Sequence, residues 1–139
     1  MIDWFKTLPL FLDLEGLGMI HACWHPQSLH TLAQFTDDNN CLLANALPDL
    51  TRKGTESYDA LETVLKGLEI QLPVGYGFDD KDGNARHHIR TWWWELKRLT
   101  YRDLAVVPPE VIEQIPYVPV PADVLPGYHG DKPLFVGYY

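Results

Sequence analysis

Two apolar stretches near the start of the chain predict a pair of short strands. Leu10–Leu14 is mostly apolar, and Met19–Cys23 is apolar apart from His21, which is the pattern of buried strands. Gly16 and Gly18 lie between the two stretches and favour a tight turn. We therefore expect two neighbouring strands, with His21 interrupting the second of them.

Helical spacing begins directly after the second strand and returns in the middle of the chain. Pro26 suits a first helical turn, and apolar residues follow it at helical intervals. After a polar and irregular segment, 36–54, Ser57 is a candidate N-cap for a second helix, which Lys66 and Gly67 should end. The apolar positions behind these two helices are Leu29, Leu32 and Ala33 in the first and Leu61, Val64 and Leu65 in the second.

Turn-forming and aromatic residues characterise positions 72–94. Asp82-Gly83 is a strong turn dipeptide, so we expect a hairpin or a tight loop around it. Trp92–Trp94 places three tryptophans in succession, and three consecutive side chains cannot share one side of a helix or strand. At least one of the three indoles should therefore lie at a surface, in a groove or at an interface.

Proline determines the character of the last third of the chain. Of the 11 prolines, seven fall between positions 108 and 133. Each proline ring fixes φ and removes a backbone donor, so this part should form extended segments and turns. The apolar end, Pro133–Tyr139, predicts a buried terminal strand. The expected fold class is α/β (α+β), with a mixed sheet, a few flanking helices and one domain covering 1–139.

Composition and charge exclude several classes of function. A chain of 139 residues has the length of one domain, for which about 100–200 residues is usual. Eleven Lys and Arg against 19 Asp and Glu give a net charge of −8, the wrong sign for non-specific binding to nucleic acid. No apolar run approaches the roughly 20 residues that span a bilayer, and the first residues do not resemble a signal peptide. We expect a cytoplasmic protein without membrane or bulk nucleic-acid partners.

The sequence carries no common motif for thiolate zinc, a nucleophilic serine or a phosphate loop. Cys23 and Cys41 are the only cysteines, and no CxxC pair occurs. Both stand in apolar surroundings, so we expect buried thiols without a disulfide. GxSxG, GxGxxG and the P-loop pattern are all absent from the sequence.

His21 is the first candidate for chemistry, because it is a titratable residue inside an apolar stretch. One interpretation is a hydrogen-bonded structural histidine of the core. The other is a neutral imidazole that ligates a metal ion, for which histidine is the commonest side chain. His25 and His30 are close in sequence, but the spacing around the strand end does not produce an HExxH-type helix site.

Arg86, His87, His88 and Arg90 form a cationic cluster after the predicted turn. One interpretation is a solvated hairpin arm. The other is a clamp for phosphate or carboxylate, because the guanidinium group matches the geometry of those anions. The preceding acidic residues do not form an EF-hand loop, since its spacing would place Phe78 at the first ligand position.

Three segments of the chain together resemble a known family. They are LPLFLDLEGLGMIHACWHP (8–26), the region 60–94 with its LKG, LP and FDDKDGNAR elements, and DKPLFVGYY (131–139). In this order they resemble the calcineurin-like metallophosphoesterases, in the branch of serine/threonine-phosphatase-like and symmetrical dinucleoside tetraphosphatase-like proteins. The resemblance covers most of the chain, and HACW followed by the LKG to FDDKDGNAR block is its most specific part.

The resemblance implies a metal site in which this chain holds few positions. The family binds two divalent metals (Mn, Fe or Zn) that activate a water for in-line attack on a phosphate ester. His21 matches the family's strand histidine, a metal ligand, while Arg86 and Arg90 would meet the substrate phosphate. The last family block should read FxGHYW, and Tyr138 stands here where a ligand histidine is expected.

The resemblance also implies that most metal ligands are missing. The family motifs DxH, GDxxDRG and GNHD or GNHE do not occur in these 139 residues, so the chain resembles the C-terminal half of a phosphoesterase. One imidazole cannot organise two metal ions, because a catalytic site needs several protein ligands. We therefore expect a chain that is not a competent hydrolase by its own residues.

Two hypotheses of function follow. The first is a phosphoesterase-related module without catalysis, with Trp92–Trp94 as a contact surface. The second is a metal-dependent phosphoesterase for phosphoprotein or dinucleoside polyphosphate, completed by another chain or an N-terminal part that carries the missing motifs. The implied fold is a partial sandwich whose open apolar face and sheet edge favour a homodimer or a higher assembly.

Overall fold

The computed structural model describes residues 4, 7–95, 100–125 and 127–137. It contains both helices and sheets, so the mixed fold class is confirmed. The chain divides into two compact units: the first runs to Gly67 and includes the segment from His129, and the second is Leu68–Tyr128. Whether they form one domain, as the sequence predicts, stays a prediction. No helix in the described ranges is long and apolar enough to cross a membrane.

The regular elements are short. In chain order, the strands are β1 (Phe11–Asp13), β2 (Gly18–Ile20), β3 (Glu69–Gln71), β4 (Phe78–Asp79), β5 (Ala85–Arg86), β6 (His88–Thr91), β7 (Ala105–Val106) and β8 (Leu134–Val136). The helices are α1 (Pro26–Leu32), α2 (Leu47–Leu50), α3 (Glu56–Lys66) and α4 (Tyr101–Leu104), and 3₁₀ helices cover Ala33–Phe35 and Pro109–Gln114.

The first unit contains a mixed three-stranded sheet in the order β1-β2-β8. β1 is antiparallel to β2, and β8 is parallel to β2. Side chains alternate between the faces of a sheet, so residues in register form rows on opposite faces. The inner row, which packs into the core, consists of Phe11, Ile20 and Val136. The outer row, on the opposite face, consists of Leu12, Met19 and Phe135.

The core of the first unit lies between the inner row and the helices. α1 packs on α3, and the buried residues are Ile20, Leu32, Ala46, Leu50, Ala60 and Val64. The backbone after β2 is tied to α3, because the Ala22 N–H donates to the carbonyl of Val64 at 3.1 Å. Gly18 leaves room for the side chains of Leu134 and Trp24, because a Cβ at this position would collide with the end of the Leu134 side chain.

The N-cap predicted for the middle helix is wrong by two residues. Thr55 is extended and accepts a hydrogen bond from the Tyr58 N–H at 3.2 Å, so α3 begins at Glu56. Ser57 lies inside the first turn, where its hydroxyl is 3.2 Å from that of Thr55. The predicted end is confirmed, because Gly67 follows Lys66 with a φ of +99°.

The second unit is built on an antiparallel sheet in the order β3-β6-β7. Its core contains Ile70, Leu72, Ile89, Tyr101, Ala105 and Ile115. β4 and β5 form the predicted hairpin around Asp82-Gly83, and Gly83 has a φ of +75°. Trp93 is buried, Trp92 is half-buried and Trp94 is 37% exposed, so the prediction of a surface indole is confirmed.

The last described strand, β8, is less buried than the sequence predicts. β8 confirms a terminal strand, but Phe135 is 56% exposed because it belongs to the outer row, on the face of the sheet opposite the core. Cys23 is buried as expected, whereas Cys41 is only half-buried, and no disulfide joins them.

Candidate functional site

His21 follows β2 directly and is exposed. Its predicted position inside a buried strand is wrong, because β2 ends at Ile20 and the burial resumes only at Ala22. The Gly137 N–H donates to the His21 carbonyl at 3.0 Å and to the Ile20 carbonyl at 3.1 Å. The end of β8 therefore holds the backbone at His21.

A shallow depression lies beside His21 on the sheet. Its cavity volume is about 470 Å³, and it is lined by segments 9–12, 19–21 and 135–137. These segments include the whole outer row, and His21 is the one residue among them with an ionisable side chain. The surface next to the candidate ligand is therefore apolar, which suits an apolar partner better than a hydrated metal ion.

The residues around His21 do not fit the two-metal centre that the resemblance implies. Within the part of the chain that the structure describes, no group of three or more His, Cys, Asp or Glu side chains is placed to hold a metal ion. Two metals need several such ligands. Tyr138, the substituted ligand position, lies outside the described residues.

Arg86 is occupied by an acidic partner within the β4–β5 hairpin. Its Nε donates to Asp80 Oδ2 at 2.8 Å, and its terminal nitrogen lies 2.6 Å from the same oxygen. The other carboxylate oxygen accepts the backbone N–H groups of Asp82 and Asn84, each at 2.9 Å. This arrangement closes the turn, so a phosphate at Arg86 would compete with Asp80.

Arg90 also faces an acidic side chain. On β6 it stands opposite Glu69 of β3, with a terminal nitrogen 3.6 Å from Glu69 Oε1. Both arginines belong to the second unit and His21 belongs to the first. The predicted metal position and the predicted phosphate positions therefore belong to different units of the chain.

The comparisons with known proteins add no further assignment. No protein-family profile, curated protein or solved structure matches this chain.

The outer row is an exposed apolar surface close to His21. Met19 is 43% and Phe135 is 56% exposed, and they are neighbours in register across β2 and β8. At the turn end of this sheet, Asp13 forms an ion pair with Lys132, and Glu15 is exposed. His21 lies at the opposite end of the strands, so the outer row, which crosses the three strands, lies between an acidic end and an imidazole.

His25 has a structural role that its position in the sequence alone did not assign. It is the N-cap of α1, where its Nδ1 accepts the Ser28 N–H at 3.3 Å and lies 2.7 Å from the Ser28 hydroxyl. The sequence contains a signal for this role: His25 precedes Pro26, and the residue before a proline at the first helical position is the N-cap.

The pKa of Asp80 gives a test of the β4–β5 hairpin geometry. The backbone N–H of Asn84, followed by Arg86, stabilises the carboxylate and holds the pKa of Asp80 at about 2, against the ordinary 3.8. Because the folded pKa is depressed, the stabilisation is present above 3.8 and is lost as the pH falls through about 2. Carboxyl-carbon NMR should give this low midpoint, and Arg86→Ala should raise it. A midpoint near 3.8 in the unmodified chain would contradict the hairpin geometry.

Proposed function

We propose that the chain is a metallophosphoesterase-related module that acts by self-association and is not a competent hydrolase alone. The observation that carries the proposal is the outer row, an exposed apolar row beside the histidine that resembles a family metal ligand. The same resemblance implies the family's sandwich fold and its divalent metals. For this chain, both remain part of the proposal.

The lack of catalysis is supported by the donor chemistry near His21. The family's acidic motifs are absent from the sequence, and the depression beside His21 is lined by apolar segments. A single imidazole in such surroundings does not hold two hard cations, which prefer several oxygen and nitrogen ligands. We propose that His21, at the end of β2, occupies the place of the family's ligand histidine but has no catalytic role in the isolated chain.

Self-association is supported by the arrangement of the first sheet. One face packs on the core, while the other carries Leu12, Met19 and Phe135 in one row. Contiguous apolar surface of this kind is normally covered by a partner. A second copy of the chain supplies an identical surface, as a twofold interface requires.

The polar side chains at the two ends of the sheet favour one orientation of the second copy. At the turn end Asp13 is paired with Lys132 and Glu15 is exposed, while the imidazole of His21, which can donate a hydrogen bond to a carboxylate, lies at the other end. In face-to-face packing with antiparallel strands, the His21 end of one copy meets the acidic end of the other. The parallel alternative would bring the two acidic ends together in a chain that already carries a charge of −8.

A phosphatase assay tests the proposed lack of catalysis. The chain, its His21→Ala variant and a His30→Ala control, which changes an exposed histidine on α1, are incubated with p-nitrophenyl phosphate and Mn²⁺. We expect no turnover above the His21→Ala background. Metal-dependent turnover that His21→Ala abolishes and His30→Ala retains would contradict the proposal and favour an enzyme completed across chains.

A further inference from the structure

The cap of α1 is an ionisable side chain. The Ser28 N–H is directed at Nδ1 of His25, at 3.3 Å, and the Ser28 hydroxyl oxygen lies 2.7 Å from the same nitrogen. Nδ1 can accept the N–H only when it carries no proton, so the capping ring is neutral with its hydrogen on Nε2. Ser28 is buried, so the loss of the ring as an acceptor for its N–H is costly.

Protonation of His25 reverses the role of this atom. A protonated Nδ1 is a donor, so it can still bond the Ser28 hydroxyl oxygen but can no longer accept the Ser28 N–H. It also places a positive charge next to the positive end of the helix, where cations are unfavourable. Both effects act on the first turn of α1, the helix that packs on α3.

Charged groups of the neighbouring helix face the same space. His25 and Ser28 line a cavity of about 210 Å³ together with Glu56 and Asp59 of α3. Glu56 Oε1 accepts a hydrogen bond from the Thr31 hydroxyl at 3.0 Å. These carboxylates favour an imidazolium, whereas burial disfavours it, and the burial of His25 lowers its pKa below 6.5. His30, the other titratable residue of α1, is exposed.

We propose that His25 makes the folding of the first unit sensitive to acid: the neutral imidazole caps α1, and protonation releases the cap and loosens the helix. This device is independent of the proposed function. Because the folded form prefers the neutral ring, the unfolded chain takes up the proton first as the pH falls below 6.5. The capping stability is therefore complete above 6.5 and is lost as the pH falls towards the lower pKa of the folded form.

The matched variant is His25→Asn. Asparagine is a strong N-cap that accepts the same N–H but does not titrate. From a pH of about 7.5 to about 5, the folding equilibrium constant of the unmodified chain should fall about threefold to tenfold further than that of His25→Asn. His30→Asn, the control at the exposed histidine, should keep the pH dependence of the unmodified chain. Equal losses in the unmodified chain and His25→Asn would overturn the proposal.

Hydrogen exchange in the unmodified chain gives a second readout that needs no variant. The Ser28 amide is capped by an imidazole, and the Tyr58 amide is capped by the Thr55 hydroxyl, which does not titrate in this range. The protection of the Ser28 amide relative to that of Tyr58 should fall as the His25 ring signals titrate. A protection ratio that stays constant through the His25 titration would also overturn the proposal.

Discussion

Trp93→Ala is expected to lower the free energy of unfolding of the second unit by about 3–5 kcal/mol, the usual cost of removing a buried tryptophan. Trp93 is only 1% exposed and is among the largest fully buried side chains of the described residues. Its removal leaves a cavity that the surrounding side chains can fill only in part. Denaturant unfolding followed by far-ultraviolet circular dichroism measures the loss.

The neighbouring tryptophan provides the matched control. Trp94 is 37% exposed and makes edge-to-face contacts with Trp92 and Trp93, with ring centroids 5.3 and 5.4 Å apart. Trp94→Ala removes these contacts but creates no enclosed cavity, so it should cost about 1 kcal/mol. Equal losses for the two variants would contradict the assignment of Trp93 as the core indole of the three.

Phe135→Glu is expected to dissociate the proposed dimer without unfolding the chain. Phe135 belongs to the outer row and is 56% exposed, so a carboxylate there leaves the inner row packed. Burial of this carboxylate against a second copy should cost at least about 2 kcal/mol, roughly a thirtyfold loss of affinity. Light scattering gives the mass, and circular dichroism shows whether the fold is retained.

Val74→Glu controls for the added charge. Val74 is fully exposed and belongs to the second unit, whereas the outer row belongs to the first, so the same substitution there should leave the mass unchanged. If both variants dissociate the assembly, general charge repulsion explains the effect. If neither does, the outer row is not the interface.

Local patterns predicted the elements whose signals lie close together in sequence. The strand pair at Leu10–Leu14 and Met19–Cys23 was predictable because two short apolar stretches flank a glycine turn, and the structure pairs them as β1 and β2. The β4–β5 hairpin followed from Asp82-Gly83 in the same way. The end of α3 at Gly67 also needed only a local signal.

The errors concern burial and the choice between neighbouring groups of similar chemistry. The exposure of His21 and Phe135 depends on how a three-residue strand is covered, which is a tertiary property. Thr55 and Ser57 are both good caps, and only the backbone conformation distinguishes them. The phosphate role of Arg86 stays a prediction, and the structure adds only that the turn places the carboxylate of Asp80 beside it.

The central claim, that a second copy covers the outer row, is tested most directly by sedimentation equilibrium of the unmodified chain over a wide concentration range. The account predicts an assembly with twice the chain mass of 15.9 kDa at moderate concentration, which dissociates on dilution. It also predicts tighter association in added salt, because salt screens the repulsion between two copies that each carry a charge of −8. A mass of 15.9 kDa at every concentration and salt level would contradict the claim.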